Sequence, residues 1–133
     1  MHRHEDEDSR LTRLPELAQP LLQFDLAAEI EHLRSQESWQ RGTGRSSETL
    51  VKHPDFRIVL VAMKANTEMK EHRAEGRISI QTIVGHVRLK LPEQPVEVPA
   101  GHLLALDRCI THDVVAVEES VFLLTICWPQ DAD

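Results

Sequence analysis

Residues 72–116 read HRAEGRISIQTIVGHVRLKLPEQPVEVPAGHLLALDRCITHDVVA. Apolar positions alternate through the first half. Ile78, Ile80, Thr82 and Val84 stand on one side, with Arg77, Ser79 and Gln81 on the other; Val87, Leu89 and Leu91 then oppose His86, Arg88 and Lys90. A period of two is the pattern of a strand with one face on a core and one in water. Gly85 separates the two runs, and Pro99-Ala100-Gly101 precedes the next, where a chain reversal favours residues of special backbone freedom.

Working outward, residues 103–106, 112–117 and 121–128 continue the series, and residues 56–64 form a further strand. Pro54, Pro92, Pro95, Pro99 and Pro129 fall between these runs or at their ends, where a missing amide does not break a ladder. Many short strands with turn signals between them predict an all-β sandwich, barrel or jelly roll. Upstream the period changes to that of a helix. Asp25 is a good N-cap, and Leu26, Ile30 and Leu33 recur at i, i+4, i+7, so a short amphipathic helix is predicted over residues 25–35. Residues 35–47, with Gly42 and Gly44, read as a connecting loop, and residues 1–13 as a charged flexible tail. The expected organisation is a tail (1–13), a helix and loop packed on the barrel (14–48), and the barrel itself (49–133).

The chain has 133 residues, one domain's worth, with 41% hydrophobic and 28% charged residues, an ordinary soluble composition. Its formal charge of −7 argues against a nucleic-acid partner held through phosphate neutralisation. The longest unbroken apolar run, residues 58–63, is far shorter than the ~20 residues of a membrane helix. The N-terminal MHRHEDEDSR lacks the apolar stretch of a secretory signal, so a cytoplasmic location and no membrane contact are expected. Cys109 and Cys127 form no C-x-x-C pair and are expected to be buried thiols.

Residues 72–116 also carry the spacing of the two cupin motifs, and the chain resembles that superfamily. The first motif reads H-x-H, three or four residues, E, six residues, G; here the positions hold His72, Ala74, Ile78 and Gly85. The second reads G, five residues, P-x-G, two residues, H, three residues, N; here they hold Gly101, Asp107-Arg108-Cys109, His112 and Ala116. The spacing fits at every step while much of the chemistry is replaced. The resemblance implies an antiparallel double-stranded β-helix, a cupin or jelly-roll barrel with a pocket inside, and it implies that dimers are common.

Cupin enzymes commonly hold one divalent metal through three histidines and a glutamate. Those ligands correspond here to His72, Ala74, Ile78 and His112, so two imidazoles remain and an isoleucine stands at the carboxylate position. The expectation is therefore no metal ligand set, no cofactor and no assigned catalytic residue. A ligand pocket is expected around His72, His112, Ile78 and Ala74, with the histidine pair hydrogen-bonding a small polar or anionic molecule. The alternative is an isomerase or oxygenase-like enzyme on a small carbonyl or carboxylate substrate, using a histidine as acid or base or a weakly held metal. Finally, residues 56–63 and 121–128 are apolar on both faces, more than one short helix covers, which predicts a twofold homodimer.

Overall fold

A computed structural model describes residues 17–70 and 75–129. The predicted helix is there: α1 spans Leu26–Arg34, capped by the Asp25 carboxylate, which accepts from the Ala28 amide at 3.3 Å. The first turn of the stretch read as loop holds a second, four-residue helix, α2 (Glu37–Gln40). Nine strands follow: β1 (Arg45–His53), β2 (Phe56–Met63), β3 (Glu68–Lys70), β4 (Arg77–Val84), β5 (His86–Lys90), β6 (Pro95–Pro99), β7 (Leu103–Leu106), β8 (Asp113–Ala116) and β9 (Ser120–Cys127). All strand pairs are antiparallel, in a five-stranded sheet ordered β1-β2-β9-β4-β7 and a four-stranded sheet ordered β3-β8-β5-β6. The architecture is the expected all-β jelly roll with a short N-terminal helix.

The alternation in β4 and β5 places Ile78, Ile80, Val87 and Leu89 in one buried cluster between the sheets, joined by Phe122 of β9 and Val61 and Met63 of β2. The opposite faces of β2 and β9 carry Leu60, Ala62 and Val121 into a second cluster, under Ile30 and Leu33 of α1 and Trp39 of α2. Both strands are thus apolar on two sides because a helix layer covers the second side. Arg34 fastens that layer to the barrel through Glu119, 3.1 Å away. The outer face of the four-stranded sheet is charged instead: Glu97 bridges His86 (2.7 Å) and Arg88 (2.6 Å) across the β5–β6 pair. That face is solvated.

Four sequence expectations change. The strand β1 starts at Arg45, inside the stretch read as loop, because its inward positions are polar and hide the alternation. Short strands form at Glu68–Lys70 and Pro95–Pro99, the latter an edge strand where prolines at the ends are tolerated. The register of β4 against β9 shifts between Thr82 and Val84, so Val84 leaves the inner row and is 38% exposed. Both cysteines are exposed rather than buried. Among the described residues, no helix is long and apolar enough to cross a membrane.

Candidate functional site

His112 sits at the entry to β8, and its side chain is 95% buried by the barrel (5% exposed). Its Nδ1 lies 2.9 Å from the Ile110 carbonyl oxygen. A carbonyl can only accept, so Nδ1 donates, and in the neutral ring Nε2 is then the nitrogen with a free lone pair. Among the described residues Nε2 makes no hydrogen bond. The ring borders a barrel cavity of about 40 Å³ whose other walls include Met69, Ile78, Ile80, Phe122 and Ile126. Such a space admits one small group or a water or two. Ile78 lies in the same cavity as His112, as its motif position implies. His72 and Ala74, the other two expected site residues, lie outside the described residues.

Among the described residues, the donors at the cavity do not make up a transition-metal ligand set. Ile78, at the carboxylate position, presents hydrocarbon to the cavity and is itself 5% exposed. Among the described residues no three His, Cys, Asp or Glu side chains come together. An imidazole beside an apolar wall can offer one hydrogen bond to an end group that the wall orders by shape.

The second motif keeps its turn with changed chemistry. Cys109 stands where the motif has glycine and adopts φ 64°, the left-handed conformation glycine would take at no cost. Asp107, at the proline position, accepts from the Arg108 amide (2.7 Å) and pairs with Arg77 (3.0 Å). Those contacts, the Arg108 amide first and the Arg77 charge next, hold the Asp107 carboxyl below its ordinary range. Arg77 is therefore a solvated, paired surface residue, as its outward register predicts.

A larger opening lies nearby, which the sequence reading does not single out. It is a cleft of about 430 Å³ bordered by Ser38, Thr43, Arg45, Ser47, Val61 and Met69, the last of which also walls the His112 cavity. Arg45 and Ser47 pair with Met63 and Val61, so they occupy inward-facing positions on β1. The only sequence signal for them is the spacing of two polar residues at a strand period.

Comparison with solved structures decides the fold. The fold matches a cupin superfamily protein of Desulfitobacterium hafniense at a TM-score of 0.62, with 13% identity over 64% of this chain and 78% of that one. It matches an RmlC-like cupin protein of Desulfovibrio desulfuricans at 0.56, with 26% identity over 62% of this chain and 81% of that one.

The fold is a cupin.

A third cupin match, the salicylate 1,2-dioxygenase of Pseudoaminobacter salicylatoxidans, reaches a TM-score of 0.71 at 13% identity. It covers 84% of this chain, but this chain spans only 36% of the dioxygenase. No family model and no curated protein matches the sequence. One of these matches is an enzyme and two are described by their fold, so the fold alone does not choose a function.

Proposed function

We propose that this cupin binds a small polar or anionic molecule at the barrel interior, with His112 as the anchoring residue. One observation carries the reading: among the described residues, a buried imidazole, oriented by the Ile110 carbonyl, is the polar group on an otherwise apolar cavity wall. Isoleucine at the carboxylate ligand position supports binding over metal-dependent catalysis. His72 belongs to the same reading through its motif position.

The test is a ligand-observed NMR screen of small carbonyl, carboxylate and hydroxyl compounds against the wild type and His112→Gln. Hits that bind the wild type and are weakened about tenfold or more in the variant support the reading, since one buried hydrogen bond carries that much. If none of the hits is weakened by the substitution, the reading is overturned. The second reading, an isomerase or oxygenase-like enzyme on a small carbonyl or carboxylate substrate, draws on the shared fold with a dioxygenase. Turnover of such a substrate, lost in His112→Gln, is the result that favours it.

The same proposal includes a twofold homodimer. Phe56, Ile58, Ile83 and Leu123, on the outer side of the five-stranded sheet where α1 and α2 pack, stay only half-buried. A second copy is the partner that covers such a face by symmetry. Sedimentation at tens of micromolar is expected to give twice the 15.2 kDa chain mass; a species of single mass overturns the dimer.

A further inference from the structure

The inward faces of the central strands are apolar: Val59, Val61 and Met63 on β2, Ile78 and Ile80 on β4, Phe122, Leu124 and Ile126 on β9. Strand β1 breaks this rule. Its inward positions hold Arg45, Ser47 and Thr49, opposite Met63, Val61 and Val59. A guanidinium placed towards an apolar layer is costly unless it finds an anion. Arg45 is half-buried and makes no ion pair among the described residues, in a chain with 22 acidic side chains against 15 Lys and Arg. Pairing would have been easy to supply, as it is for Arg34, Arg77 and Arg88.

The setting of Arg45 is rigid on both sides. The Lys64 amide donates to the Gly44 carbonyl at 2.8 Å, which fixes the start of β1 against the end of β2. Ser46, 4% exposed on the opposite face, donates to the Leu33 carbonyl at 3.4 Å and lies 3.2 Å from Gln36 Oε1 and from Ser38 Oγ. This anchor holds α2, and with it Ser38, at the cleft wall. The nearby Lys64 ammonium is engaged over the Trp39 ring, 5.1 Å from its centre, which leaves Arg45 as the cation lining the cleft. Ser38, Thr43 and Ser47 line the same cleft, and Val61 and Met69 form an apolar floor.

We propose that this cleft is an anion site built for a small organic carboxylate, the carboxylate on Arg45 and the hydroxyl groups, the apolar body against Val61 and Met69. Guanidinium and carboxylate match as two parallel hydrogen bonds, which a lysine cannot reproduce. The volume of about 430 Å³ suits a molecule of several heavy atoms, whereas the His112 cavity of about 40 Å³ does not. The proposal does not rest on His112, so the two sites fail separately.

Benzoate, benzamide and inorganic phosphate are titrated into the ¹⁵N-labelled full chain, with Arg45→Gln, Arg45→Lys and Glu97→Gln beside the wild type. Benzoate is expected to shift the amides of residues 43–47 and of Met69. Its affinity falls about tenfold or more in Arg45→Gln, and by less in Arg45→Lys. Glu97→Gln, on the outer face of the four-stranded sheet, keeps wild-type affinity, and the neutral benzamide binds at least about tenfold more weakly than benzoate. Equal binding of benzoate by Arg45→Gln and wild type overturns the site. So do shifts centred on His112, or no binding of benzoate up to about 10 mM. Phosphate binding as tight as benzoate overturns the role of the apolar floor.

Discussion

Gly85 and Gly101, both cupin motif positions, offer a controlled measurement of what closes the barrel. Their backbones are nearly identical, φ 84° and φ 87°, so an alanine at either pays the same left-handed penalty of about 1–2 kcal/mol. Restricting the unfolded chain returns about 0.4–1 kcal/mol of that. Their surroundings differ. A methyl group at Gly101 meets nothing within 4 Å, while one at Gly85 stands 2.5 Å from Ser120 Oγ and closer still to the Glu119 carbonyl oxygen. Ser120 is fully buried; its hydroxyl accepts from the His86 amide at 2.9 Å and donates to the Glu118 carbonyl at 2.7 Å. Displacing it loses two hydrogen bonds at about 1 kcal/mol each and adds overpacking of about 1 kcal/mol or more. Gly101→Ala should then cost about 1 kcal/mol and Gly85→Ala about 4 kcal/mol. An unfolding entropy of about 2.1 cal/mol/K per residue over 133 residues converts these to about 4 °C and about 14 °C in thermal midpoint, read by calorimetry or circular dichroism. Equal losses in the two variants would refute the claim that the β8–β9 turn is packed against Gly85.

Cys109→Gly should raise stability by up to about 1 kcal/mol in urea titration, since it removes a left-handed penalty larger than the unfolded-state entropy it adds; a loss of stability shows the thiol to be held by packing. Glu97 is held below its ordinary 4.5 by hydrogen bonds from Arg88 first and His86 next. A carboxylate depressed in the folded state stabilises above its unfolded value and loses that contribution as pH falls through the lower folded one. Glu97→Gln should therefore be less stable than wild type near pH 7 and converge with it as pH falls below 4.5; a gap independent of pH overturns the assignment. Dialysis against a strong chelator should leave the thermal midpoint unchanged, because Ile78 puts hydrocarbon at a ligand position; a fall of several degrees would mean that other residues complete a metal site.

The strands that fill the barrel with their own side chains were legible. In β4 and β5 the apolar residues recur at every second position, and burial follows them. Legibility ended where packing and pattern part. The extra residue at Ile83 reverses the phase of β4, an event of pairing that no single strand announces. β3 has three residues and β6 begins and ends on proline, too little for alternation to register. The helix over Leu26–Arg34 was readable because Asp25 and the Leu26–Ile30–Leu33 stripe agree. At the site, motif spacing put His112 and Ile78 in one cavity although most of the motif residues are replaced. Arg45 and Ser47 stayed hidden because serine, glycine and arginine in succession read as loop; only the partner strand β2 turns them inward.

An open two-sheet barrel exposes the unpaired amides and carbonyls of its outermost strands, which invite addition of strands from other molecules. Here each border carries a different deterrent. β6 starts at Pro95 and ends at Pro99, β3 and β7 are three and four residues long, and β1 is broken by an irregularity at Leu50 while its Lys52 amide is taken by the Leu17 carbonyl. Lateral growth into a fibre-like ribbon is blocked on both sheets, so association is steered to faces rather than borders. Replacing Pro95 and Pro99 with valine would remove one such guard, and the cost would appear first as turbidity on concentration rather than as a lower melting temperature.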